Sequence, residues 1–366
     1  METINLKSIT RMSGFYVVYK ACFLEDRENE RGLTHFLEHL VCRRFRYLEE
    51  RFAHFAIDFN AITSDDYVVF YMAGIDKYVR PFREEFLTLL LDHRPLDEKD
   101  IEEERPVILQ EYSNHFSNAY NAMIGNGLRK YYDYYGPMGL KSDIENADYQ
   151  TLNSLYDWRF TRPYMIINIS KDSPFEPTAI QFKTDSSSHG LSLSFKGNTN
   201  AQTETVYPNE ILLIGRKNPL PNEDLSLSQM LHYLLCGDLH KPLMRRLRVQ
   251  LGYSYGCSFS DYAIDKYHLV FFSTEVAKKN RAKVIDEVSR ILANVDKYVT
   301  EEMFSMAVDH FKIKREMCMI GRHNNIMDLF YPNLLREGSL ESLTYESVIE
   351  HAQRHYSNVF EDFIEY

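Results

Sequence analysis

The chain has 366 residues, enough for two or three domains of ordinary size, and with 44% hydrophobic and 26% charged residues it has the composition of a folded globular protein rather than a disordered one. Its net charge of -11 argues against general nucleic-acid binding, which calls for a basic surplus or a basic stripe. No run of 18 or more apolar residues occurs, which excludes a spanning helix, and no membrane partner is expected.

In chain order, the β-branched and aromatic run GFYVVYKACFL (14–24) reads as a strand, and GLTHFLEHL (32–40) reads as a helix that places His35, Glu38 and His39 on roughly one face. The basic cluster CRRFR (42–46) reads as the solvated face of a helix. DYVVFYMAG (66–74) is a second strand, and YVRPFREEFLTLLLDHRPLDEKDIEEER has apolar residues at helical spacing, with a second helix starting near Leu96 and Asp97. Pro106 either breaks or kinks that helix or begins a new turn at its first position. RPYMIINIS (162–170) closes the first portion as a buried strand.

A polar stretch rich in Ser, Thr, Asn and Gly follows, and it is the best linker in the chain. Strand EILLIGR (210–216), helix LSLSQMLHYLLCG (225–237), strand YHLVFFSTEV (267–276) and helix KKNRAKVIDEVSRILANV (278–295) then repeat the element order of the first half. The pattern therefore predicts two α+β domains of similar size, at 1–182 and 210–366, joined by a linker at 183–209. Five cysteines (Cys22, Cys42, Cys236, Cys257, Cys318) lie scattered with no C-x-x-C, and METINLKSITRMSGFYVVYKA lacks an apolar run followed by a cleavage site. A reducing, cytoplasmic location is the expectation.

Two histidines at i and i+4 offer two neutral imidazole ligands from one rigid helix, the spacing that adjacent corners of a zinc site need. Glu38 is close enough to deprotonate a water yet displaced around the helix from the metal itself. A third ligand is sought in EEERPVILQEYSNH (102–115), where Glu104 and Glu111 are seven apart and share a helical face; Glu102 and Glu103 read as solvated acids. His232 and His240 flank Cys236 and Asp238, but their spacing fits no standard ligand pattern and a helix end at Gly237 accounts for the segment. The order H-x-x-E-H is the inverzincin signature.

With that motif, the E-R-x-x-x-x-x-E segment resembles the pitrilysin family, which includes insulysin and the mitochondrial processing peptidases. The resemblance implies that His35, His39 and Glu111 hold one zinc ion per chain, that Glu38 is the general base, and that Glu104 has a supporting acidic role. In the second half LRVQLGYSYG (247–256) is similar to the family's L-R-x-x-x-G-x-x-Y segment, which implies that Arg248 and Tyr255 face the substrate and donate to the oxyanion. FNAITSDDYVVFYMAG (59–74) resembles the family's N-A-x-T segment running into an edge strand, and implies that Asn60 and Ala61 contact a peptide that adds itself to the sheet.

The family's fold, two α/β-sandwich domains with helices packed on a mixed, largely antiparallel sheet, is implied as well. So is a zinc endopeptidase acting on peptides or unfolded polypeptide segments. Family members enclose substrate among four such domains, so two per chain imply a dimer, with Arg248 and Tyr255 serving the partner's zinc. A homodimer is the first expectation, because one chain carries both motif sets, and a heterodimer with a related subunit is the second. The competing reading is a scaffold subunit that keeps the fold with little or no hydrolysis.

Overall fold

The computed structural model describes residues 2–8, 10–21, 23–176, 193–197, 211–320, 334 and 338–365. The linker expected at 183–209 lies outside them apart from 193–197. The described chain falls into two compact units, one of residues 1–117 and 134–192 and one of 118–133 and 193–366. Residues 118–133, which lie within the expected first domain, belong to the second unit: Tyr132 donates its hydroxyl to the carbonyls of Arg216 and Lys217 (2.7 and 2.9 Å).

The first unit contains, in chain order, β1 (Glu2–Lys7), β2 (Met12–Lys20), α1 (Leu33–Cys42), α2 (Arg46–His54), β3 (Asp58–Thr63), β4 (Tyr67–Ile75), α3 (Asp76–Val79), α4 (Arg83–Leu90) and α5 (Glu98–Ser117). After α6 (Ala119–Tyr132), which lies in the second unit, it resumes with α7 (Lys141–Asn146), α8 (Tyr149–Arg159) and β5 (Met165–Ser170). The sheet runs β1-β5-β2-β4-β3, with β1 parallel to β5 and every other pair antiparallel. β2 is buried along nearly its whole length, as befits a central strand covered on both faces, and so reads as an unbroken apolar run. β3 alternates exposed and half-buried residues and forms one edge.

The strand expected at 14–24 ends at Lys20, and a short 3-10 turn follows at Phe23–Glu25. Pro106 sits inside α5 without ending it. Its ring lies on the exposed side of the helix, where solvent can take the carbonyl that loses its N–H partner. Part of the high aromatic content is structural: Phe45 packs on Phe59 and Phe86 (4.8 and 4.9 Å between centroids), and Phe52 on Phe82 (5.2 Å), joining the segment after α1 to β3 and α4.

The second unit repeats this plan. It comprises α6, β6 (Ile211–Arg216), β7 (Leu220–Pro221), α9 (Leu225–Cys236), α10 (Pro242–Met244), β8 (Cys257–Ile264), β9 (Tyr267–Glu275), α11 (Arg281–Leu292), α12 (Val295–Tyr298), α13 (Glu301–Ile320), α14 (Tyr345–His355), α15 (Val359–Asp362) and β10 (Phe363–Glu365). The sheet runs β10-β6-β9-β7, and β8 pairs with β9. Strand order β5-β2-β4-β3 in the first unit corresponds to β10-β6-β9-β8 in the second. α1 packs on β3, α5 and α8 as α9 packs on β8, α13 and α14. The fold is α+β, with helices on a mixed sheet in the first unit and on an antiparallel sheet in the second.

Candidate metal centre

α1 is almost wholly buried, His35 and Glu38 included, and His39 is half-buried. Its start is fixed by a close approach of two glycines with positive φ. A Cβ on Gly139 would lie 2.2 Å from the carbonyl carbon and oxygen of Arg31 and the nitrogen of Gly32, so no side chain fits there. The preceding turn is pinned by Arg159, which is buried and donates to Glu25 (3.1 Å) and Asp26 (2.8 Å).

α5 packs beside α1 and supplies the acids. Glu111 Oε2 is 3.3 Å from His39 Nε2 and 3.7 Å from His35 Nε2, and the three residues offer ligand atoms all within 4.8 Å of one another. Burial pushes the His35 imidazole down to about 3, which keeps it neutral and able to ligate. Glu111 is 47% exposed, so the group opens to solvent on one side, as a site with a free coordination position does and a closed structural site does not. Two imidazoles and a carboxylate are a donor set that fits zinc.

Glu38 projects from the same helix. Its carboxylate accepts from Thr63 Oγ1 on β3 (2.8 Å) and lies 3.8 Å from the Cys42 sulfur. Burial pushes the Glu38 carboxyl up against the opposing pull of His39 and Thr63, the direction that suits a base able to hold a proton between two steps.

Glu104 does not reach the three ligand atoms' position but takes the other side of His39, 3.0 Å from Nδ1. Burial alone would raise its carboxyl, and hydrogen bonds from His39 and Arg43 overcome that and hold it low. A carboxylate on Nδ1 leaves Nε2 as the free lone pair, facing Glu111. Glu104 is thus a positioning residue, anchored by Arg43.

Arg43 corrects the expectation for CRRFR. Its side chain is 6% exposed and contacts Asp100, Glu103 and Glu104, while Arg44 donates to the carbonyls of Asp92 and Arg94 and to the Tyr156 hydroxyl; of the three arginines Arg46 is the solvated one. Glu103, expected to be a solvated acid, is accordingly a partner of Arg43. Arg43 and Thr63 were not identifiable as site residues from local spacing, because their partners lie 61 and 25 residues away.

Asn60 and Ala61 lie on edge strand β3, opposite Tyr71 and Phe70 of β4, and the Ala61 N–H donates to Asn60 Oδ1 (2.9 Å). In the second unit Arg248 falls in a π-helical turn, Arg245–Gln250, and Tyr255 follows Gly252, whose φ of +60 turns the chain. The Arg248 guanidinium lies 4.1 Å from the Tyr255 ring centroid, and Tyr255 is 79% exposed. The sequence-matched pair is therefore together and faces solvent.

α9, the counterpart of α1, carries no comparable centre among the described residues. His232 is tied to Asp261 (2.9 Å) and to the Tyr356 hydroxyl (2.9 Å), while Ser228 bridges His268 and His351 (3.0 Å each). Asp224, His351 and His355 form another group within ligand reach. Asp224 precedes α9 and the two histidines lie on α14, with His355 Nε2 3.9 Å from Asp224 Oδ2 and burial lowering both imidazoles.

Residues 6–132 match the family model described as insulinase (peptidase family M16), and 176–310 match the model described as the peptidase M16 inactive domain. The chain belongs to the M16 peptidase family. A comparison with curated protein sequences finds no match. Among solved structures, a protease from Helicobacter pylori is similar with a TM-score of 0.76 at 13% identity, over 96% of this chain and 92% of that one. A putative M16-like peptidase from Alicyclobacillus acidocaldarius has a TM-score of 0.69 at 16% identity, over 98% and 93%. A peptidase M16 inactive domain from Pseudomonas fluorescens has 0.67 at 13%, over 99% and 93%. At these identities the likeness shows the fold.

Proposed function

We propose that the chain is a zinc metalloendopeptidase that cleaves peptides or unfolded polypeptide segments. The observation that carries this reading is the convergence of His35 Nε2, His39 Nε2 and Glu111 Oε2 beside the buried carboxylate of Glu38. Zinc held by those three residues would supply Lewis acidity, making water more acidic and a scissile carbonyl more electrophilic. Glu38 takes the proton from the attacking water and returns it to the leaving amine. Thr63 fixes one oxygen of Glu38, the Cys42 sulfur lies 3.8 Å from the other, and Glu104 with Arg43 sets the ring of His39.

The exposed edge of β3 at Asn60 and Ala61 offers main-chain groups to an extended peptide, a mode that gives affinity with little side-chain selectivity. Arg248 and Tyr255 are proposed as donors to a peptide carbonyl oxygen as charge develops on it. A homodimer in the cytoplasm completes the proposal, with pairing to a related subunit as the alternative assembly.

The match of 176–310 to an inactive-domain model favours a second reading, a scaffold subunit that keeps the fold without hydrolysis. A quenched-fluorescent peptide library assayed with wild type and Glu38→Gln separates the two. The peptidase reading expects cleavage that collapses in the variant while zinc content stays. No cleavage by zinc-loaded wild type, alone or mixed with a related subunit, supports the scaffold.

A further inference from the structure

Cys236 is the last residue of α9 and Cys257 the first of β8, and their sulfurs are 3.6 Å apart in the free thiol state. α9 and β8 pack together over the core of the second unit, formed here by Leu234, Leu235 and Phe272. The two sulfurs are therefore held near each other by the fold rather than by a flexible loop. Bond formation requires them to close to about 2.05 Å, a shift within the reach of side-chain rotation and small backbone adjustment. A cavity of about 360 Å³, lined by Cys236, Tyr233, Gly237, Ser258 and Phe259, gives a water-sized oxidant a route to Cys236, against which the buried Cys257 sulfur lies.

The segment enclosed by the two cysteines, residues 237–256, contains the π-helical turn, Arg248, Gly252 and Tyr255. We propose that Cys236 and Cys257 are an oxidative modification site, at which hydrogen peroxide converts the dithiol into a disulfide and closes the segment carrying Arg248 and Tyr255 into a covalent loop. One sulfur, as thiolate, attacks a peroxide oxygen; the O–O bond breaks, a sulfenic acid forms and the departing oxygen leaves as water. The second sulfur attacks the sulfenic sulfur, the S–O bond breaks, and a second water leaves with the remaining protons. Two thiols lose two electrons in all, and one peroxide gains them. Burial pushes the Cys236 thiol well up.

The cross-link does not depend on the peptidase reading, and its test uses no activity. Full-length protein is treated with hydrogen peroxide, alkylated in denaturant, digested and mapped by mass spectrometry without reduction. The proposal expects the Cys236 and Cys257 peptides joined, two hydrogens lighter and separated by dithiothreitol. It also expects a melting midpoint that rises on oxidation in wild type and in Cys42→Ser, and does not rise in Cys236→Ala or Cys257→Ala. Sulfoxide at the exposed Met306 confirms that oxidant was effective. Both cysteines recovered alkylated or as sulfinic acid under those conditions, or either one joined to Cys42, would overturn it. Because the cross-link is read in wild type, the test does not depend on either alanine variant folding.

Discussion

Replacing Glu104 by alanine isolates the second carboxylate of α5 from the ligands themselves. In the folded protein Glu104 Oε1 is 3.0 Å from His39 Nδ1, while its other oxygen meets Arg43. Without it the His39 ring is free to change tautomer and orientation, and loss of such an outer partner costs about 10- to 100-fold in metal affinity, or about 1.4 to 2.8 kcal/mol. The fold should survive, because Arg43 keeps Asp100 (2.7 Å) and Glu103 as partners and no buried charge is stranded. Competition for zinc against a chromophoric chelator gives the affinity, and circular dichroism checks the fold. A folded variant that binds zinc within about twofold of wild type would refute the positioning role of Glu104.

Other parts of the structure make separate predictions. Burial lowers the His268 imidazole to about 4 from its usual 6.5, so the unfolded chain takes up a proton there before the native state does. Stability from this group is complete above about pH 6.5 and is lost as pH falls toward about 4, on the order of 3 kcal/mol in all. His268→Gln should lessen the fall of the melting temperature over that window, to which the buried His35 and His351 also contribute, and an unchanged slope would contradict the assignment. Gly139→Ala forces a Cβ onto the Arg31–Gly32 peptide at a φ of +61; it should lower stability by more than about 1 kcal/mol in thermal melts and weaken zinc binding, and a wild-type melt would remove the proposed anchor of α1. Asn60→Ala, on the edge of β3, should raise KM for peptides about 2- to 10-fold with little change in kcat. Unaltered KM would argue that peptide docks elsewhere.

The helix bearing His35, Glu38 and His39 was legible because i, i+3 and i+4 spacing is a local property, and the same holds for Glu104 and Glu111 seven apart on α5. Their division of labour was not local. Glu104 turns to the Nδ1 side of His39 because Arg43 draws it there, and Arg43 lies in a basic cluster whose charge pattern alone suggests solvent. The central strands β2, β4 and β9 announced themselves as long apolar runs, whereas the end of β2 at Lys20 was hidden by further apolar residues up to the turn at Phe23. Pro106 illustrates the weight of tertiary context: a residue that costs about 3 kcal/mol in an isolated helix is carried within α5, whose inner face is held by Ile101, Ile108, Tyr112 and Phe116. Cys236 and Cys257 had no motif to reveal them, since their proximity arises from the packing of α9 on β8.

The most direct test of the metal centre is zinc-edge X-ray absorption on protein loaded with one equivalent of zinc and then dialysed. The expected result is retention of one zinc per chain with two imidazoles and a carboxylate as protein ligands, and loss of the metal in Glu111→Ala with the fold intact. A wild-type protein that keeps no zinc, or a spectrum showing sulfur ligands or no imidazole, would contradict the metal centre described above.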